Sequence, residues 1–183
     1  IPLHSTGRAR EILGRWMKDA EAAAVAALGC NDTDKELAMG DALHFLEVMR
    51  NDISEGSTDQ VLALASGGWR RDVHAIAFVA PRNVSFLPGN STTETVYIKF
   101  LAARPIAGRP RGAGAELVRR IVDWAASTGR LVTLHASNGP FAQQYFLSLG
   151  FEPTGGSPPL IYKGGGMAAQ VPAELGLRMV RLD

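Results

Sequence analysis

Cysteine is almost missing from this sequence: Cys30 is the only one in 183 residues, which excludes an internal disulfide and a cysteine-cluster zinc site. A lone thiol reads as packing rather than as a nucleophile, and a reducing, cytoplasmic setting is the simpler expectation. Long apolar runs are missing too. The longest, residues 22–28, falls far short of the roughly 20 residues that cross a bilayer as a helix, so no membrane is expected as a partner. The first residues, Ile1-Pro2-Leu3-His4, carry neither an initiator Met nor an apolar signal core, and a trimmed or processed chain is expected. There is no internal repeat and no low-complexity tract. Nor does one sign of charge prevail, since the net charge is +1. The balance is uneven, however: residues 1–60 hold 6 Lys+Arg against 11 Asp+Glu, leaving 13 against 7 for the rest, or −5 and +6. That polarity suits an anionic cofactor on one side and a cationic acceptor on the other, although solvated helix faces explain it more plainly.

What is present is the composition of a globular protein, 46% hydrophobic and 20% charged, with length for one well-buried core. Ile12, Leu13, Trp16, Met17, Ala20, Ala24, Ala27 and Leu28 recur at helical spacing, which predicts a helix over 8–28 stopped at Gly29. Thr33-Asp34-Lys35-Glu36 has the form of a capping box, predicting a second helix over 34–52 with Leu37, Phe45, Leu46, Met49 and Ile53 inward. Apolar runs at 61–66 and 73–80 read as a hairpin, 81–93 as a loop and 96–103 as a strand. Residues 114–128 are amphipathic, with Leu117, Ile121 and Ala125 on one face and Glu116/Arg120 and Arg119/Asp123 as exposed pairs. A buried strand over 131–136, a helix over 140–149 ended by Gly150, and short strands at 151 and 160–163 follow. The tail beyond the glycines at 164–166 is expected to dock as a short helix or strand. The order predicts an α+β fold, one mixed sheet with helices on its faces.

The chemistry concentrates where the strand at 96–103 leads through a Gly-rich turn into the helix at 114. Such a turn offers unpaired backbone N–H groups backed by the positive end of the helix dipole, and its small residues let a phosphate approach. Arg109 and Arg111 add charged donors at the rim. Two other phosphate motifs fail here: the Gly-Lys-Ser/Thr of a P-loop is absent, and the third glycine of a dinucleotide fingerprint would fall on Leu117.

Arg109-x-x-Gly112-x-Gly114 on a strand-turn-helix resembles the acyl-CoA pyrophosphate loop of the GNAT superfamily of N-acyltransferases. Downstream, Leu134-His135-Ala136-Ser137-Asn138, Ala142 and Leu149-Gly150-Phe151 are similar to that superfamily's second CoA motif. The resemblance covers roughly residues 60–163. It implies a single GNAT-like domain, with a helical acceptor side (1–58), an acyl-CoA core (60–163) and a tail (164–183). It also implies a mostly antiparallel sheet, splayed between the strands the family counts as fourth and fifth, with helices on both faces.

Acetyl-CoA is the implied co-substrate. Leu101, Ala102 and Ala103 would offer backbone groups to pantetheine, Arg109, Arg111, Gly112, Ala113, Gly114 and Ala115 would hold the pyrophosphate, and Asn138 and Phe146 would complete the site. The implied reaction is direct attack of a primary amine on the thioester, with the acceptor a small molecule or a protein lysine or N-terminus. A module that binds CoA without turnover is the rival. Nucleic acid is not expected as a partner, and a homodimer is left open.

The family's acid is often a Tyr four residues before the Gly of Leu-Gly-Phe. That position is Phe146 here, and Tyr145 lies one residue earlier, about 100° round a helix. Glu94 is a candidate base just before the strand, and His135 a candidate proton carrier, although its mid-strand place favours a packed histidine. His74 reads as a core or sheet-face residue, and Tyr162 as a more distant candidate near the thiol. His44 and Glu47 share a helix face, but two residues make no metal site, and no metal is expected.

Overall fold

The computed structural model describes residues 5–54, 60–67, 72–85, 92–105, 110–136 and 139–182. Two long helices lead, α1 (Ser5–Gly29) and α2 (Thr33–Ser54), and pack against each other. The cap of α2 is not the expected Thr33 box. Asp32 serves instead, its Oδ1 accepting the Lys35 N–H at 3.2 Å while its carbonyl accepts from Glu36 N. Leu37, expected inward, is 63% exposed; the side chains that α2 buries in the core come from its later turns, at Leu46, Met49 and Ile53.

The sheet is built from β1 (Gln60–Ser66), β2 (Val73–Val84), β3 (Thr93–Ala103), β4 (Val132–Leu134), β5 (Glu152–Pro153), β6 (Leu160–Tyr162) and β7 (Leu177–Arg181). Between them lie α3 (Ala113–Ser127) and α4 (Gly139–Ser148). The spatial order is β5-β6-β4-β3-β2-β1-β7, and every neighbouring pair is antiparallel except β3 with β4.

The two-residue period of the strands sorts their side chains into two cores. Val61, Ala63 and Ala65 join Ile12, Leu13, Trp16 and Met49 under the leading helices. Leu62 and Leu64 face the other way, against Leu117, Val118 and Ile121 of α3. Helices therefore cover both faces of the sheet.

Two expectations shift, and a third resolves between its alternatives. Part of the loop expected at 81–93 is strand, since β2 runs on to Val84, with Pro81 opposite Val96. That proline lies past the end of the β1–β2 pairing, where β2 is an edge and a missing N–H is tolerated. The strand expected over 131–136 shrinks to three residues, so His135 lies beyond its end. The tail resolves as a strand: β7 pairs with β1, from Leu62 opposite Arg181 to Ser66 opposite Leu177.

Candidate active site

The parallel pairing of β3 with β4 is brief, joining Val96 to Val132, Tyr97 to Thr133 and Ile98 to Leu134. A buried bond between the Thr95 and Thr133 hydroxyls, 2.9 Å, closes that end. Beyond Ile98, β3 continues to Ala103 paired with β2, while among the described residues its pairing with β4 ends at Leu134. The result is a V-shaped gap. At its apex the β2–β3 register slips, with Phe78 opposite Phe100 and Val79 opposite Ile98, so Lys99 is an extra, bulged residue. Its Nζ meets both carboxylate oxygens of Asp52 on α2, at 3.2 and 3.1 Å. Neither residue was singled out from the sequence, because nothing in local spacing joins positions 47 apart.

At the open end, β3 leads to the Gly-rich turn. Gly112 precedes α3 with φ 77°, a left-handed conformation, and a Cβ there would lie 3.2 Å from Gln170. Among the described residues no side chain caps the helix, and the N–H groups of Ala113, Gly114 and Ala115 have no acceptor within α3. Arg111 is exposed on the turn. Arg109 and Asn138 lie outside the described residues.

Glu116, expected in an exposed pair, is buried, with 1% exposure. Its carboxylate accepts from Arg119 (2.7 and 3.2 Å), from Arg120 (2.9 Å) and from the backbone N–H of Gln170 (2.9 Å). Burial pushes its pKa up, but these hydrogen bonds outweigh burial and hold it at about 2. The pairing of Arg119 with Asp123 is present at 2.6 Å. Through Glu116 the segment around Gln170 is tied directly over the turn. That tie crosses 54 residues, so i,i+3 and i,i+4 spacing showed only the two arginines.

The walls of the gap include Leu101, His135, Ala142 and Phe146. Phe146 points inward and packs edge-on against Phe151, with ring centroids 5.7 Å apart. Tyr145, on the adjacent face of α4, reaches the turn: its hydroxyl lies 3.6 Å from where a Cβ on Gly114 would be. The one-residue offset thus brings Phe146 to the gap and Tyr145 to the turn. Ala102 is buried on the α1 side of β3, while Leu101 and Ala103 pack toward α3.

His135, expected to be packed in mid-strand, is exposed at the lip of the gap, because β4 stops before it. Glu94 is not brought to the gap. It sits at the opposite end of β3, more than half exposed and 3.3 Å from Arg130, four residues before the gap begins. Tyr162 is buried against Phe151. His74 is buried, and burial lowers its pKa while Asp72 pulls the other way. Among the described residues no group of three or more His, Cys, Asp or Glu could hold a metal ion, and no helix is long and apolar enough to cross a membrane.

No protein-family model matches the sequence, and no curated protein does. Solved structures are similar in fold. AtaT complexed with acetyl-methionyl-tRNAfMet superposes with a TM-score of 0.50 at 20% identity, over 63% of this chain and 81% of that one. A Tyr-to-Phe mutant of the AtaT toxin, bound to the C-terminus of the antitoxin AtaR and acetyl-CoA, gives 0.48 at 23% identity, over 67% and 79%. Naa20 of Chaetomium thermophilum with a bisubstrate analogue gives 0.37 at 11%, over 61% and 76%. Among the described residues β3 with β4 is the one parallel pair, it opens into a gap beside the start of α3, and the chain has the GNAT fold.

Proposed function

We propose that this chain binds acetyl-CoA in the gap between β3 and β4 and transfers the acetyl group to a primary amine. One observation carries the reading: β3 outruns its parallel partner by five residues and ends beside three helix N–H groups that have no acceptor within α3. An extended chain with amide groups can pair along Lys99 to Ala103, and a pyrophosphate fits a turn of small residues at a helix start. When bound, acetyl-CoA supplies the thioester that an amine attacks. The chain's own part is positioning. The β3 backbone orients the acyl group, Arg111 and the α3 N–H groups anchor the anionic end, and Phe146 excludes water from the gap. Tyr145, whose hydroxyl lies beside Gly114, is the candidate acid for the departing CoA thiolate. Glu94 is not part of this mechanism. The amine reaches the gap from the side of α2, past the Asp52–Lys99 ion pair.

The test has two stages. Acetyl-CoA at about 100 times its Kd should raise the melting temperature by about 5 °C or more, and no shift would remove the proposal. Labelled acetyl-CoA is then incubated with a panel of polyamines, lysine peptides, N-terminal peptides and aminoacyl-tRNA. The last is included because one solved neighbour is complexed with an acetylated aminoacyl-tRNA. A thermal shift without transfer to any amine would favour a binding module over an enzyme.

A further inference from the structure

On the face of the sheet opposite α3, a second pocket opens between the middle of α1 and the ends of β2 and β3. Its floor is apolar, formed by Ile12, Trp16 and Val73. Its rim carries Arg15, Lys18 and Arg104 against Asp19 and Asp72, an excess of one positive charge. None of these residues lines the gap, although Arg104 directly follows Ala103, at the start of the connection to Gly112.

Arg104 is the most telling of them. Its backbone N–H donates to the His74 carbonyl at 3.0 Å, which fixes the residue to the rim of the sheet. Its guanidinium is poorly used. The nearest carboxylate oxygen, Asp19 Oδ2, is 4.0 Å away, beyond hydrogen-bond reach, and Arg104 Nε is buried with no partner. A guanidinium has five N–H donors in a planar fork that matches a carboxylate or phosphate, and a buried donor left unmade is costly. Beside it, His74 Nδ1 is also buried without a partner. An orphaned buried N–H on Arg104, at the rim of an open pocket, is a donor placed where a ligand can reach it.

We infer that this pocket binds the carboxylate or phosphate of a small organic ligand, with Arg104 as the anchoring fork, Arg15 and Lys18 at the rim and the ligand's apolar body against Trp16. The site is separate from the proposed acetyl-CoA gap and does not rest on that reading.

Phenyl phosphate is a suitable probe, with phenol and inorganic phosphate as controls, titrated calorimetrically into the full chain. One molecule binds per chain, more tightly than either control. Arg104→Gln and Arg15→Gln each weaken it about ten-fold or more, the loss of a charged hydrogen bond. Asp19→Asn, which removes a competing carboxylate, tightens it. Saturating acetyl-CoA leaves the affinity unchanged. The inference is overturned if Arg15→Gln and a normally melting Arg104→Gln bind like the parent. Inorganic phosphate binding as well as phenyl phosphate would overturn it too, as would one-for-one displacement by acetyl-CoA, which would put the probe in the gap instead.

Discussion

A single buried carboxylate, Glu116, sets the most direct prediction at the residue scale. Its pKa is held at about 2 by Arg119, Gln170 and Arg120 against an ordinary value of 4.5. A carboxyl whose folded pKa is depressed stabilises the fold above its unfolded value and loses that contribution as pH falls through the folded one. About 3 kcal/mol of stability should therefore fade between pH 4.5 and about 2. Glu116→Gln should flatten this acid limb and cost a similar amount at pH 7, read from urea unfolding at several pH values. Equal acid limbs in the two proteins would mean that the carboxylate is not the group responsible. At the same scale, Tyr145→Phe should leave acetyl-CoA affinity within about two-fold and lower kcat by about 100-fold. A drop in affinity without a change in kcat would make the hydroxyl a packing group.

Among the elements, the turn at Gly112 combines two demands, a left-handed φ and a close approach by Gln170. Gly112→Ala should cost about 1–3 kcal/mol and weaken acetyl-CoA binding, measured by denaturant midpoint and calorimetry. The helix start, the turn and the following α3 were legible in the sequence because they are local: small residues, flanking arginines and a 3.6-residue apolar period. The place of Tyr145 was not. Its distance from the expected acid position is one residue, and only the packing of Phe146 against Phe151 decides which of the two rings enters the gap. His135 was misjudged for a related reason. Periodicity continues an apolar strand through Ala136, whereas the pairing with β6 stops opposite Leu160, and with it the strand. Glu116 looked like a surface pair because its third partner, Gln170, comes from the far end of the chain.

In the whole molecule, two cores share one sheet, and β2 and β3 lie between them. Amide exchange should therefore be slowest in these two strands and fastest in α4, which leaves Phe141 83% exposed. Added acetyl-CoA should slow exchange along 99–103 and 112–116 while leaving α1 unchanged; protection confined to α1 would contradict the proposed gap. One mixed sheet with helices on its faces followed from the order of elements, because alternating and helical apolar periods are read residue by residue. Strand order was less accessible, since pairing across the sheet leaves no local trace.

The strand β7 has a consequence for how the molecule is made. β1 takes β7 as its outer neighbour, although Ser66 and Leu177 are 111 positions apart in the chain. During synthesis, β1 and β2 can form their hairpin early, but the outer edge of β1 must wait until Leu177–Arg181 has been made. A row of unpaired backbone groups left open that long is a template for another nascent chain. Chains truncated before Leu177 should thus self-associate through β1, whereas chains that include β7 carry their own cover for that edge.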